Sequence, residues 1–297
     1  MLVSTRRRLC ATAFILIASS APAARAEDAC PALFSNGQAP VLTNPKLATR
    51  TVPLCFEAFA VLHSGVTHTP LYSAEHLTRA SIAAARTVAR DDSFHEELRL
   101  SADERASLED YVRSGFDRGH LAPAGDMPTL GAQAESFSLA NIVPQNRVLN
   151  RGLWADIEES TRRLATRRGS IFVVTGVIFS GDAVQQIKGG VLVPTQLFKA
   201  LYDPASGEAG AYLARNADSR DWQAVSIDEL NRQAGIDVFP RLPVGARTTA
   251  MTLPDPHASA RADEHRPRHE PTWQDWLQRE INHALRKIVR DVLRGIF

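Results

Sequence analysis

The sequence predicts a globular protein of α+β class. Its 297 residues are 44% hydrophobic and 23% charged, which is ordinary for a globular protein and unlike a disordered or multi-span membrane chain. Residues 171–179 form a short apolar run, IFVVTGVIF, that predicts a buried strand. Residues 150–167 instead repeat apolar side chains at helical spacing. The chain therefore combines strand and helix patterns, and it is long enough to bury a sizeable core.

The first 26 residues have the pattern of an export signal. Three arginines at residues 6–8 precede an apolar stretch at 9–20, and Ala-Arg-Ala at 24–26 predicts cleavage near Glu27. The apolar stretch is shorter than the about 20 residues that a membrane-spanning helix needs. Cleavage would remove four arginines and no acid, which changes the net charge from +1 to −3. We therefore expect an exported protein, either periplasmic or secreted.

The cysteines fit the same expectation. Cys10 lies in the predicted signal, so the mature chain keeps Cys30 and Cys55. An even pair near the start of an exported chain predicts one structural disulfide, because thiols are oxidised outside the cytoplasm.

In the first third of the chain, local patterns predict one strand and two helical segments. Residues 52–62 are apolar with few charges, which is typical of a strand. Residues 77–90 are rich in alanine and indicate helical or mixed structure. Ser101 and Glu104 stand at the spacing of a capping box, so we expect a helix from there to Val112.

Residues 115–150 are rich in glycine, proline, asparagine and glutamine, and they show little periodicity. A long irregular stretch inside a compact domain usually carries function. After the strand at 171–179, residues 190–193 and 209–215 predict two further strands. Residues 227–234 predict a short helix that ends at Gly235.

The end of the chain predicts a linker and then an amphipathic helix. Residues 254–271 are polar and contain four prolines. Thr272 and Asp275 begin a capping-box pattern, and residues 272–297 place apolar and basic side chains on opposite faces. The apolar face could pack on the core, or it could contact an anionic membrane surface or the same helix of a second subunit.

The irregular stretch and the helix after it carry an unusual set of polar residues. In order, they are Asp117, Arg118, Gly119, His120, Asn141, Asn150, Glu158 and Arg162. A histidine can accept a proton from water near neutral pH, and an arginine can hold a phosphate through two parallel hydrogen bonds. Amide and carboxylate oxygens suit a hard cation such as Mg²⁺. The set therefore fits the hydrolysis of an anionic ester.

These residue types also have ordinary structural explanations. A lone histidine in a loop is more often a hydrogen-bonding residue than a catalyst, and asparagine in loops usually forms turns. If residues 150–167 form one helix, Asn150, Glu158 and Arg162 lie near one face, but Glu158 and Arg162 could be a solvated ion pair. Residue type and spacing alone leave both explanations open.

The order of the motifs adds a stronger indication. The segments FDRGHLAPAGDM at 116–127 and FSLANIVPQNRVLNRGLWADIEESTRR at 137–163 closely resemble the DNA/RNA non-specific endonuclease family, which has a ββα-metal fold. The resemblance extends from about residue 52 to residue 242. It implies an antiparallel central sheet flanked by helices, with a ββα-metal motif at one edge. On this basis we expect a nuclease domain at residues 27–253.

The resemblance implies a catalytic role for three of these residues. His120 matches the general base that activates the attacking water. Asn150 matches the sole direct protein ligand of one Mg²⁺ ion, for which Mn²⁺ could substitute. Glu158 matches the residue that orients the water shell of the metal. No organic cofactor is implied.

The resemblance also implies contacts to the substrate. Arg118 and Arg162 match arginines near the scissile phosphate, and Asn141 matches a polar residue beside the site. The family has a further phosphate-binding arginine upstream, for which Arg90 is the best candidate.

The implied function is that of an exported, Mg²⁺-dependent endonuclease. It would hydrolyse DNA and RNA without preference for sequence or sugar and leave 5′-phosphate ends. The alternative is a catalytically silent envelope protein that binds an anionic polymer or a protein partner. That alternative would not require His120, Asn150 and Glu158, all of which are present.

Overall fold

The computed structural model describes residues 30–181 and 184–257. The predicted signal at 1–26 and the predicted helix at 272–297 lie outside the described residues, as does all but the first part of the predicted linker. Within the described ranges, no helix is long and apolar enough to cross a membrane.

The described chain contains eleven strands and seven α-helices. The strands are β1 (Val41–Leu42), β2 (Thr51–Cys55), β3 (Phe59–Ser64), β4 (Thr69–Thr78), β5 (Asp117–His120), β6 (Ile142–Gln145), β7 (Ser170–Ile178), β8 (Gln196–Asp203), β9 (Glu208–Arg215), β10 (Trp222–Val225) and β11 (Ile236–Asp237). The α-helices are α1 (Arg79–Ala85), α2 (Leu108–Tyr111), α3 (Leu130–Ser136), α4 (Arg147–Arg151), α5 (Leu153–Arg168), α6 (Ile227–Ala234) and α7 (Val244–Thr248).

Seven strands form one antiparallel sheet in the order β10-β9-β8-β7-β4-β3-β2. Side chains alternate between the two faces of a strand, and β7 buries both sets. Val174 and Ile178 belong to the apolar cluster on one face, whereas Val173 and Val177 belong to the cluster on the other. The continuous apolar run in the sequence is therefore that of a strand covered on both sides.

Two helices cover opposite faces of this sheet. Helix α5 buries the predicted stripe, including Leu153, Trp154 and Ile157, in the same cluster as Val173. Helix α6 packs on the other face, and its bounds agree with the prediction. The Ser226 side chain accepts a hydrogen bond from the amide of Glu229 at its start, and Gly235 adopts a left-handed conformation at its end.

A separate two-stranded ribbon leads into the helices α4 and α5. Strands β5 and β6 pair antiparallel, with Asp117 opposite Gln145 and His120 opposite Ile142. Asn216, which follows β9, ties this ribbon to the large sheet. Its side chain donates to the carbonyls of Pro144 and Pro194 and accepts from the amide of Asn146. The α+β class, the antiparallel sheet and the flanking helices are thus as predicted.

Several local predictions were wrong in detail. Residues 52–62 contribute to two strands, β2 and β3, because the chain turns back after Cys55. The helix expected from Ser101 is replaced by a turn, and only α2 is helical, with Asp110 accepting from the Ser107 amide. Residues 190–193 do not form a strand, because Gly189 and Gly190 take positive φ in a 3₁₀ turn.

The predicted helix at 150–167 is interrupted at Gly152. A Cβ atom at this glycine would lie 2.8 Å from the carbonyl oxygen of Val148, so a side chain does not fit without a shift. Asn150 therefore lies on α4, whereas Glu158 and Arg162 lie on α5. The expectation that all three share one helix face is wrong.

The two cysteines expected to pair are joined in the structure. Cys30 and Cys55 form a disulfide with a Cα–Cα distance of 6.0 Å. It fixes the start of the described chain to the end of β2, at one edge of the large sheet.

Candidate active site

A cavity of about 320 Å³ lies between the ribbon and α5. Six residues predicted from the sequence line it together: Arg90, Arg118, His120, Asn150, Glu158 and Arg162. They come from a loop, a strand and two helices, so only the fold brings them to one place.

The ribbon aims two of these side chains in the same direction. Arg118 and His120 are two residues apart on β5, and alternate side chains of a strand project to the same face. Gly119 lies between them on the opposite face. A Cβ atom there would lie 2.6 Å from the Gln145 Cβ, so the close approach of the two strands requires glycine.

His120 lies in an aromatic environment. Its ring contacts Phe137 edge to face at 4.9 Å between centroids, and Phe94 at 5.4 Å. The Nε2 atom is buried and has no hydrogen-bond partner among the described residues. Burial, together with the positive charges of Arg90 and Arg118, lowers the pKa of His120 to about 3. The imidazole is therefore neutral at physiological pH, the state that a general base requires.

Asn150 is oriented by a carboxylate. Its side-chain nitrogen donates to Oδ2 of Asp117 at 3.2 Å, and its Oδ1 accepts no hydrogen bond from the described part of the chain. Burial alone would raise the pKa of Asp117. The hydrogen bonds from Arg151 and Asn150 outweigh that effect and lower the pKa, so Asp117 is ionised near neutral pH.

Glu158 and Arg162 occupy successive turns of α5. Burial raises the pKa of Glu158 to about 7, although the positive charges of Lys199 and Arg162 oppose the shift. Arg162 donates to Oδ1 of buried Asp126 at 2.9 Å and pairs with Glu159 at 3.0 Å. Arg162 is thus held at the cavity by an acid on each side.

Two aromatic rings position the remaining arginines. The Arg118 guanidinium lies over the Phe94 ring at 4.3 Å, and that of Arg90 lies 5.4 Å from the centre of Phe137. Arg90 also donates to Asp92 at 2.6 Å. The sequence assigned no role to Phe137, because an aromatic residue in an irregular stretch gives no sign of what it will contact.

Charged side chains also lie below the cavity, within the large sheet. Glu75 on β4 and Lys199 on β8 are both fully buried. The Lys199 side chain donates to Thr175 Oγ1 at 2.6 Å, and its positive charge acts against the rise in the pKa of Glu158. Burial raises the pKa of Glu75 well above its usual range, and the negative charge of Asp126 adds to the shift. The sequence analysis did not single out either residue.

The expected substrate contact of Asn141 is not supported. Its side chain is fully buried, and it accepts from Ser73 Oγ at 2.7 Å and from the Ala122 amide at 3.0 Å. Its nitrogen donates to the carbonyls of Ala122 and Ser136. With both ends of the amide engaged, Asn141 connects the segment after His120 to β4 and does not face the cavity.

The donor set of the cavity fits a hard divalent cation. Asn150 offers an unengaged amide oxygen and Glu158 offers a carboxylate, which are the ligand types that Mg²⁺ prefers. No group of three or more histidine, cysteine, aspartate or glutamate side chains among residues 30–181 and 184–257 could hold a metal. A cation here would therefore keep several waters, which is characteristic of Mg²⁺.

A two-stranded ribbon followed by a helix, with a histidine on the ribbon and an asparagine at the helix, defines a nuclease of the ββα-metal class. The profile of the DNA/RNA non-specific endonuclease family matches residues 38–245, so the chain belongs to that family. The predicted family resemblance is confirmed.

Individual relatives agree with this assignment. "Nuclease EXOG, mitochondrial" of Danio rerio is 34% identical over 205 residues, which cover 61% of this chain and 59% of the relative. "Endonuclease G, mitochondrial" of Caenorhabditis elegans is 33% identical, covering 63% and 68%. The chain thus matches only about three fifths of the zebrafish protein. An EndoG chain solved in complex with EndoGI superposes with a TM-score of 0.61 and 25% identity, covering 66% of this chain and 89% of that one.

These relatives contradict the expected export to the periplasm or medium. Four of the similar nucleases, from zebrafish, nematode and two yeasts, are named as mitochondrial proteins. The first 26 residues are rich in arginine, alanine and serine and contain no acid. That composition is shared by export signals and mitochondrial targeting segments, so the sequence pattern did not separate them.

Proposed function

We propose that this protein is a metal-dependent endonuclease that hydrolyses phosphodiester bonds of DNA and RNA without sequence preference. The observation that carries the proposal is the cavity itself. It combines the neutral imidazole of His120, whose Nε2 has no hydrogen-bond partner among the described residues, with Arg118 and Arg162, next to the side-chain oxygens of Asn150 and Glu158. A base, phosphate-binding cations and metal ligands are the parts that phosphodiester hydrolysis requires.

The arginines bind and orient the substrate. Arg162 is held by Asp126 and Arg118 by Phe94, so both guanidinium groups lose little freedom when they contact a phosphate. Their positive charge also stabilises the additional negative charge that develops on the phosphate oxygens in the transition state. These contacts place the scissile phosphate beside His120.

His120 then accepts the proton of the attacking water. The water becomes a better nucleophile as its proton is transferred to the neutral ring. Its oxygen forms a bond to phosphorus in line with the bond to the 3′ oxygen, which breaks. The 3′ oxygen takes up a proton from solvent, so the products are a 3′-hydroxyl and a 5′-phosphate end. Asn150 would bind Mg²⁺ directly at the same cavity, and Glu158 would orient the water molecules around the cation. When bound, that cation would offset charge on the phosphate and the leaving oxygen.

The proposed contacts are made to phosphate, metal and water. Such contacts position a nucleic acid but carry no information about its bases, so weak sequence preference is expected. We also propose activity on both DNA and RNA, which rests on the family rather than on a contact to the sugar.

The proposal is tested with supercoiled plasmid DNA and with RNA, in the presence of Mg²⁺, Mn²⁺ or a chelator. We expect cleavage of both substrates with the metals and none with chelator. His120→Ala should reduce the rate by about 10² to 10⁴, because the general base is lost. Asn150→Ala should require far more Mg²⁺ and should not reach full activity.

The matched control is His95→Ala, which removes an exposed histidine outside the cavity lining and should retain activity. Ends that a DNA ligase joins without prior phosphorylation would support the 5′-phosphate product. Binding of DNA without cleavage under all metal conditions would favour the alternative, a catalytically silent protein that binds an anionic polymer. Full activity in chelator would contradict the metal-dependent mechanism.

A further inference from the structure

A second cavity of about 370 Å³ adjoins the first. We infer that it binds the phosphates of the nucleic-acid strand that flank the cleaved bond. It is lined by Tyr111, Val112, Phe116, Asp117, Arg118, Arg147 and Arg151. Arg118 also lines the catalytic cavity, so the two cavities share a wall and a strand could pass from one to the other. The inference rests on the proposed nuclease function.

Two exposed arginines give this cavity its charge. Arg147 and Arg151 are four residues apart on α4 and therefore lie on one face of the helix. About two thirds of each side chain is exposed, 65% and 66% respectively. Both are held by Asp117, whose own side chain is only 10% exposed.

The anchoring by Asp117 leaves part of each guanidinium available. Arg147 contacts the carboxylate through Nε at 3.3 Å, and both of its terminal nitrogens have no partner in the described ranges. Arg151 uses Nε at 2.7 Å and Nη2 at 3.1 Å, which leaves Nη1. The lining of the cavity contains three arginines, Arg118 included, and the single carboxylate of Asp117, so the cavity keeps a net positive charge that attracts phosphate.

The distance between the two cavities fits a nucleic-acid strand that continues past the catalytic cavity. Asp117 and His120 are three residues apart on β5, about 10 Å at the rise of an extended strand. This interval is longer than the axial rise of about 3.4 Å per nucleotide in one DNA strand, so the two cavities would contact different phosphates. Phe116 is half-buried and Val112 is exposed at the same cavity, and they offer an apolar surface for a sugar or base.

Asp117 connects this second cavity to catalysis. Its Oδ2 accepts from both Arg151 and Asn150, the proposed metal ligand. Substitutions of the arginines must therefore be tested by DNA binding and its salt dependence. A change in the cleavage rate alone could arise because Asn150 is displaced. A charge-retaining variant separates the two effects.

The test measures binding of a fluorescent 20-nucleotide single-stranded DNA by anisotropy between 50 and 200 mM salt, in a His120→Ala background that prevents cleavage. Loss of two phosphate contacts in Arg147→Gln/Arg151→Gln should reduce the slope of log K against log salt by about 1.4. Arg147→Lys/Arg151→Lys keeps both charges and should keep the slope. Arg241→Gln removes one exposed arginine that lines neither cavity, and it should also keep the slope.

The salt dependence of DNA binding decides whether the second cavity binds phosphates. A slope for the double glutamine variant equal to that of the parent would overturn it, as would failure of the parent to bind DNA at low salt. If the double glutamine variant binds DNA normally but no longer binds an acidic protein, the cavity serves a protein partner and the inference is wrong. If the slope changes as expected but the unmodified enzyme cleaves no nucleic acid, the phosphate site stands and the proposed nuclease function fails.

Discussion

At the scale of single residues, the state of His120 depends on its surroundings more than on its own chemistry. Phe94 and Phe137 remove water from the ring, and nearby arginines disfavour a positive charge on it. The fold therefore keeps His120 unprotonated, and this lowers the free energy of unfolding in acid. The reason is that His120 of the unfolded chain binds a proton that the folded chain excludes.

The first prediction concerns the loss of stability in acid that the buried His120 causes. An unfolded histidine titrates near 6.5, whereas the pKa of folded His120 is about 3, so stability is lost as pH falls through 6.5. For metal-free protein, this residue alone should lower the free energy of unfolding by about 2 kcal/mol between pH 7.5 and pH 5. Urea unfolding of the wild type and of His120→Gln at both values measures the difference.

Glu158 changes the free energy of unfolding with pH in the opposite direction to His120. Its raised pKa of about 7 favours the folded state as pH falls toward 4.5, but it does so in both proteins and cancels in the comparison. Equal losses of stability in the wild type and in His120→Gln would show that burial does not hold the imidazole neutral.

Much of the catalytic cavity was predictable from the sequence. The spacing and order of the motifs named Arg118, His120 and Asn150, and the structure brings these residues together. The sequence did not distinguish Asn141 from them, because asparagine serves equally well as a ligand and as a buried connector. Only its four hydrogen bonds inside the protein separate these roles.

At the scale of secondary-structure elements, the break between α4 and α5 sets the direction of the metal ligands. Gly152 allows the chain to change direction directly after Asn150, so the amide can point at the cavity from one helix and Glu158 from the next. A continuous helix would fix the angle between these two side chains. The glycine of the Asn-x-Gly-x-Trp motif thus has a geometric role.

The second prediction is that Gly152→Ala impairs activity more than folding. Its new Cβ would meet the Val148 carbonyl oxygen at 2.8 Å, and the resulting backbone shift would displace Asn150. A displacement of about 1 Å can reduce a rate about 10²-fold. Steady-state rates and Mg²⁺ titrations check this expectation. Gly245→Ala is the control, since no atom lies within 4 Å of its Cβ position.

The third prediction concerns the disulfide at the edge of the sheet. Cys30 and Cys55 are 25 residues apart, for which the chain-entropy model gives a stabilisation of roughly 3 to 4 kcal/mol. Cys30→Ala/Cys55→Ala should lose about that much in chemical unfolding and keep its nuclease activity at low temperature. Two free thiols in the denatured, unreduced wild type would contradict the pairing.

The sequence analysis missed strand β8 for a physical reason. Strand β8 was not predicted because Lys199 and Asp203 interrupt its apolar pattern, although both are buried in the sheet. Their burial depends on distant partners, such as Thr175 for Lys199 and Arg168 for Asp203, that a local pattern does not contain. By contrast, β7 and α6 were predicted almost to the residue, since their burial follows from their own periodicity.

At the scale of the whole molecule, the large sheet separates two different surroundings. The face under α5 supports the catalytic cavity, and the opposite face packs α6 together with the first residues of the described chain. Residues up to the start of the predicted linker, Pro254 included, also belong to the folded unit. The Met251 amide donates to the Ala209 carbonyl at 2.7 Å, and Tyr212 donates to the Pro254 carbonyl at 2.7 Å.

The fourth prediction is that the folded catalytic unit ends shortly after the contacts of Met251 and Pro254. We propose that residues 272–297 mediate binding to anionic membranes or self-association rather than catalysis. A chain truncated after His257 should keep its nuclease activity and lose liposome binding or oligomeric mass. Truncation after Ala250 removes the buried Met251 and Leu253 and should unfold at a lower temperature. If truncation after His257 already unfolds the protein, the terminal helix belongs to the core.

The hydrogen bonds of Asn216 between the ribbon and the large sheet have a consequence for partial unfolding. Among the described residues, the ribbon that carries His120 shares no strand pairing with the seven-stranded sheet, and the Asn216 amide makes polar contacts between them. Amide hydrogens of β5 and β6 should therefore exchange with solvent together, through a partial opening that leaves the large sheet protected. A nuclease built in this way can lose its catalytic geometry reversibly long before it unfolds.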